Sequence, residues 1–163
     1  MIPFLFMVLM LVHEFGHLII SYLIDPTIIE RWKIHIQFFT NDRLFVIYSF
    51  GEVRSNHIDM ALVYGSGYIF SSTLIALLYL CKCNIAFLFS INELYHIILD
   101  FITNYGDTYF VYRYANDIVI FSIYLAFVIG LNIIVISMTI TQSIDKLKLI
   151  INFRNRIVIN DTL

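Results

Sequence analysis

His13, Glu14, Phe15, Gly16 and His17 form an HExxH pattern inside a long apolar run. Residues four apart lie one above the other on a helix face, so both imidazoles can reach one metal ion while Glu14 stands beside them. In the zincin arrangement, zinc takes the two histidines and one further protein ligand. The fourth position is left for a water whose pKa falls to about 7, and the glutamate serves as its general base. With five His and four Glu among 163 residues, a random HExxH match is expected in about 0.4% of such chains. The setting sharpens the signal, because an ionisable residue at the bilayer centre costs about 2.5–3.5 kcal/mol on insertion scales. The plainer reading is that His13 and His17 hydrogen-bond to other spans with Glu14 protonated. Against it, a helix rarely concentrates such polarity without a ligand to neutralise it.

A third ligand must come from further along the chain, where Asn92, Glu93, His96, Asp100 and then Asn104-Tyr105-Gly106-Asp107 gather. Asp100 lies within an apolar segment at a depth close to that of His17 if the spans are straight, and depth alone selects it. Asp107 lies past the apolar run, where Gly106 can break the helix. It requires an unwound segment turned inward, which is tolerated where irregular backbone is buried in protein. A second metal chemistry is also written here: Glu14-x-x-His17 and Glu93-x-x-His96 are two ExxH pairs, as in di-iron carboxylate bundles, which would make a membrane oxidase. Those bundles also need a glutamate from each of two other helices, and Glu30 and Glu52 fall in a connector. A non-catalytic zincin-like membrane protein is the remaining alternative, and Glu93 with His96 reads by default as a polar core pair.

These residues need elements to hold them. The chain is 60% apolar and only 13% charged, about half the charged share of a soluble domain, with a mean hydropathy of +0.84. A net charge of −2 with dispersed Lys and Arg excludes a nucleic-acid stripe. Four stretches satisfy the roughly 20 apolar residues a bilayer demands: Ile2–Ile24, stopped by Asp25-Pro26; Ile58–Leu80; Ile85–Ile102; and Ile118–Ile140. The N-terminal run lacks the charged start and small-residue cleavage site of a signal peptide and reads as a retained span. Cys81 and Cys83 read as free thiols. The expected fold is an all-α, multi-pass integral membrane protein with about four transmembrane helices.

Between the first two spans, Lys33–Phe38 alternates polar and apolar residues, Thr40–Arg43 is a turn cluster, and Leu44–Phe50 is β-rich. That predicts a small β-hairpin insertion over residues 32–54, with edges that can accept an extended peptide. Residues 1–141 form the membrane-embedded metalloprotease-like domain. Residues 142–163 form a tail along the headgroups, ending in a β-like run at Arg156–Ile159. The lysines and arginines divide five against five between the two sides, so the positive-inside rule sets no orientation.

The order of these parts resembles the site-2 protease family of intramembrane zinc metalloproteases. The corresponding residues are His13-Glu14-Phe15-Gly16-His17, the hairpin, Tyr64-Gly65-Ser66-Gly67, and Ile91-Asn92 through Gly106-Asp107. The resemblance spans roughly residues 8 to 115, and HEFGH is its specific match. The third passage departs from the family pattern in having no proline, and neither Asp100 nor Asp107 is followed by glycine. The family's spacing, counted from Ile91-Asn92, selects Asp107 as the third ligand, and counted from its second asparagine it selects Asp100. The resemblance implies Zn2+ held by His13, His17 and Asp107, with Asp100 as the alternative, and Glu14 as the catalytic base. It also implies a membrane protein or peptide as substrate and the lipid bilayer as surroundings; no substrate-binding residue is assigned.

Overall fold

The computed structural model describes residues 2–27, 33–38, 45–50 and 56–160, with side chains over 4–27, 33 and 56–151. Its helices are α1 (Ile2–Ile24), α2 (His57–Leu80), α3 (Ile85–Thr103), α4 (Asp107–Ala115) and α5 (Ile118–Asn160). Four of them, all but α4, are long and apolar enough to cross a membrane.

The helix ends follow local chemistry. Beyond α1, Pro26 blocks continuation, and the Thr27 backbone N–H donates to the Asp25 carboxylate at 3.1 Å. The Asn56 side chain caps α2 by accepting from the Asp59 backbone N–H at 2.9 Å, satisfying one of the donors a helix start leaves open. Three helices close on left-handed residues: Lys82 after α2, Asn104 after α3 and Asn116 after α4. Asparagine tolerates that conformation better than most residues.

Between α1 and α2, Lys33–Phe38 (β1) and Phe45–Phe50 (β2) run antiparallel, with Lys33 opposite Phe50 and Phe38 opposite Phe45. The turn expected at Thr40–Arg43 and the flanks of the insertion lie outside the described residues, so a complete hairpin is not described.

Half of the α2 span is buried, against 28% of each other span, which makes α2 the central post. Its glycines are shared among its neighbours. A Cβ on Gly65 would meet Tyr124 of α5 and Val111 of α4, while a Cβ on Gly67 would meet the α1 histidines. From the α1 side, a Cβ on Gly16 would come within 2.8 Å of the Ser66 carbonyl oxygen, so α1 and α2 touch backbone to backbone, as small residues permit.

Helix α3 ends midway along α2, at the level where the Tyr68 hydroxyl meets Asp100. The chain turns through Asn104–Gly106 and continues as α4 towards the start of α2, with Phe110 stacked on Tyr64 and Tyr114 tilted against His57. Thus α3 and α4 form one interrupted passage. Helix α5 returns parallel to α2: Tyr124 lies at Gly65, Asn132 bonds Ser72, and Gln142 bonds Tyr79.

Two expectations change at the C-terminus. The helix that carries the last span does not stop at Ile140, and Arg156–Ile159 is helical rather than β-like, since α5 runs unbroken across 141–142 for 43 residues. At 1.5 Å per residue that is about 64 Å, twice the hydrocarbon thickness of about 30 Å. The segment is rich in Ile, Leu and Lys; its β-branched residues did not outweigh continuation of a helix already nucleated.

Candidate metal centre

One turn of α1 supplies His13 and His17, and the start of α4 supplies Asp107. Among the described residues, these three form the group whose ligand atoms lie within 4.8 Å of one another. Nε2 of His13 is 2.7 Å from Oδ2 of Asp107, and Nε2 of His17 is 3.0 Å from the same oxygen. The other ring nitrogen of His17, Nδ1, donates to the Val63 backbone carbonyl at 2.7 Å. Such a bond orients an imidazole and, in the neutral ring, leaves Nε2 as the free lone pair.

Gly67 completes the cradle. A Cβ there would stand 2.6 Å from Nε2 of both histidines, so the bare backbone of α2 forms the floor on which the two rings rest. The His13 ring also meets Tyr68 edge to face, with centroids 4.7 Å apart. Glu14, adjacent to His13, is buried at 8% exposure and close enough to His17 to act on it electrostatically.

Asp107 reaches this place because the backbone unwinds. Asn104 adopts φ 52°, ψ 37°, and Gly106 has φ 103°, a conformation natural only to glycine. Oδ2 of Asp107 meets both imidazoles, so the carboxylate is not left unpaired where it leaves water. The side chain retains 22% exposure and that of His13 17%, so the centre is not sealed.

The donor set suits zinc, which accepts imidazole nitrogen and carboxylate oxygen in a four-coordinate site. Two nitrogens and one oxygen converge from two elements, one ring nitrogen is already committed to a backbone acceptor, and the floor beneath the rings carries no side chain. The three side chains could therefore hold a metal ion, with the His17 ring oriented by its backbone acceptor.

Asp100, the alternative ligand, is held elsewhere. Its Oδ2 accepts from the Tyr68 hydroxyl at 3.2 Å and from the Thr108 backbone N–H at 3.1 Å. Equal depth brought it near the site, but the face it occupies on α3 turns it to the interhelix turn. Glu93 accepts from the Ser72 hydroxyl, and His96 lies edge to face against the Tyr95 ring. Neither belongs to a cluster of three metal-capable side chains among the described residues. Glu93 is buried, at 3% exposure, and His96 is half-buried.

The sequence reading missed Tyr68, the Val63 carbonyl and Asn132, whose side-chain amide donates to Ser72 at 3.0 Å. A hydroxylated aromatic directly after Gly67 and an amide within the last span were available signals. A backbone carbonyl leaves none. Compared with known protein families, curated proteins and solved structures, the chain matches none of them, so its chemistry rests on its own residues.

Proposed function

We propose that this protein is a zinc-dependent endopeptidase acting within the membrane, of the site-2 protease type, with His13, His17 and Asp107 as ligands and Glu14 as general base. The observation that carries the reading is the meeting of an HExxH turn in one apolar helix with an aspartate delivered by an interrupted passage. The order of parts supports the family assignment: an HExxH helix, a paired strand segment, a glycine-bearing central helix, and then the aspartate.

When bound, zinc would polarise a scissile carbonyl and bring the pKa of a water near 7. The chain supplies the rest. The Glu14 carboxylate accepts a proton from the attacking water and passes it to the amine nitrogen as the peptide C–N bond breaks. Asp107 and the two imidazoles hold their donor atoms in place, with His17 fixed through Val63. A helical substrate must open locally to present its carbonyl. The paired strands, of which β2 lies beside α1, offer an edge where an extended segment adds as a strand.

Purified protein, loaded with zinc and reconstituted with a single-span substrate, tests this. Cleavage by the wild type and loss of cleavage in Glu14→Gln, with zinc still bound at about one per chain, is the expected result. Equal cleavage by Glu14→Gln refutes the mechanism. A second reading has one observation in its favour: both imidazoles lie within hydrogen-bond distance of the Asp107 carboxylate, as in a purely structural cluster. Absence of any zinc uptake by folded protein selects that reading.

A further inference from the structure

The carboxylate of Asp100 lies one turn from the end of α3, where the chain needs neither charge nor capping for α3 itself. Three features aim it at the other side of the break. It accepts the backbone N–H of Thr108, the second residue of α4, at 3.1 Å. Helix α4 has Gly106 at its cap position and no side-chain cap of its own, so Asp100 takes the role that an N-cap side chain normally fills. Its negative charge also suits the positive end of the α4 dipole. A Cβ on Gly106 would overlap the Asp100 carboxyl, so the turn is folded directly onto it.

The same oxygen accepts from the Tyr68 hydroxyl at 3.2 Å, and the Tyr68 ring stands edge to face against His13. One carboxylate therefore braces two of the three candidate ligands. It reaches Asp107 through the first turn of α4 and His13 through Tyr68.

We propose that Asp100 is the positioning residue of the metal centre, fixing the interrupted α3–α4 turn so that Asp107 faces the histidines, and holding Tyr68 against His13. The metal part of this statement rests on the zinc reading above; the bracing of α4 does not. Asp100 binds no metal itself, because its oxygens are outside the three-residue group.

The test uses the full chain in lipid nanodiscs and compares Asp100→Ala, Asp100→Asn and Tyr68→Phe with the wild type. Zinc affinity is read by chelator competition, the Co(II) ligand-field spectrum reports the ligand set, and amide exchange reports residues 104–112. Loss of a residue that orients ligands weakens metal binding by about 10–100-fold, and that loss is expected for Asp100→Ala, with faster exchange at Thr108. Asp100→Asn, whose amide oxygen still accepts the Thr108 N–H, is expected to restore both readouts to within a few-fold and to leave the Co(II) spectrum unchanged. Tyr68→Phe keeps the ring, and it is expected to weaken zinc less than Asp100→Ala while leaving Thr108 protected.

Wild-type affinity and wild-type Thr108 protection in Asp100→Ala overturn the proposal. So does a changed Co(II) spectrum in Asp100→Asn, which would make Asp100 a ligand. If the wild type takes up no zinc, the proposed function fails. Thr108 exchange then decides this inference alone: unaltered protection in Asp100→Ala refutes it, and lost protection restored by Asn supports it.

Discussion

Replacing Gly67 with alanine adds one methyl group at the point where α2 supports both histidines. The new Cβ would lie 2.6 Å from Nε2 of His13 and from Nε2 and Cε1 of His17. Comfortable heavy-atom separations begin near 3.5 Å, so the rings must retreat by about 0.9 Å. Neither can do so freely: His17 is tied to the Val63 carbonyl and both rings to Asp107. Metal ligation tolerates distance errors of only about 0.2 Å. Overpacking a well-filled site costs about 1–3 kcal/mol, which at 1.4 kcal/mol per decade converts to zinc binding about 5- to 150-fold weaker. Chelator competition on detergent-solubilised protein measures this, with thermal melting to confirm that the variant is folded. Gly130→Ala is the control, since nothing lies within 4 Å of a Cβ there, and its zinc affinity should be unchanged. If Gly67→Ala binds zinc as tightly as the wild type, the imidazoles do not rest on α2 and the site geometry described above is wrong.

Asp107→Asn in metal-free protein should lower stability by about 1.5–3 kcal/mol, the worth of hydrogen bonds to a charged acceptor. Melting curves in chelator at pH 7 measure the loss; an Asp107→Asn protein that melted with the wild type would contradict the assignment. Glu93 accepts from the Ser72 hydroxyl, which in turn accepts from the Asn132 amide, all three being buried. Glu93→Leu should destabilise the fold by about 1–3 kcal/mol by stranding the Ser72 hydroxyl, with zinc affinity unaltered and Glu93→Gln close to wild type. A Glu93→Leu protein that melted normally but lost its zinc would move Glu93 into the metal centre.

Apolar length was a sufficient guide to the spans. Helix α1 has the predicted limits Ile2–Ile24, and α2, α3 and α5 begin within one residue of the expected starts, because lipid solvent leaves a hydrophobic segment few alternatives to a complete helix. The pairing of His13 with His17 followed from helix geometry alone. The choice between Asp100 and Asp107 did not, since hydropathy reports depth and not the direction of a side chain. What brings Asp107 inward is the left-handed pair Asn104 and Gly106, and their effect depends on Asp100 and Tyr68, which are distant in sequence from the histidines. The end of α5 was misread because β-branched residues near Arg156 suggest a strand when taken locally, whereas the element they belong to is already helical. Glu93 was legible as a buried polar group, but the hydroxyl it accepts from, Ser72 of α2, was not.

Zinc K-edge X-ray absorption on the zinc-loaded wild type tests the central claim most directly. Two imidazole nitrogens at about 2.0–2.1 Å and one carboxylate oxygen, with a fourth light-atom position open to exchange, is the result expected of a catalytic site, and Asp107→Asn should alter that oxygen shell while Asp100→Asn leaves it unchanged. Four protein ligands with no exchangeable position, or an oxygen shell that responds to Asp100 and not to Asp107, would contradict the account.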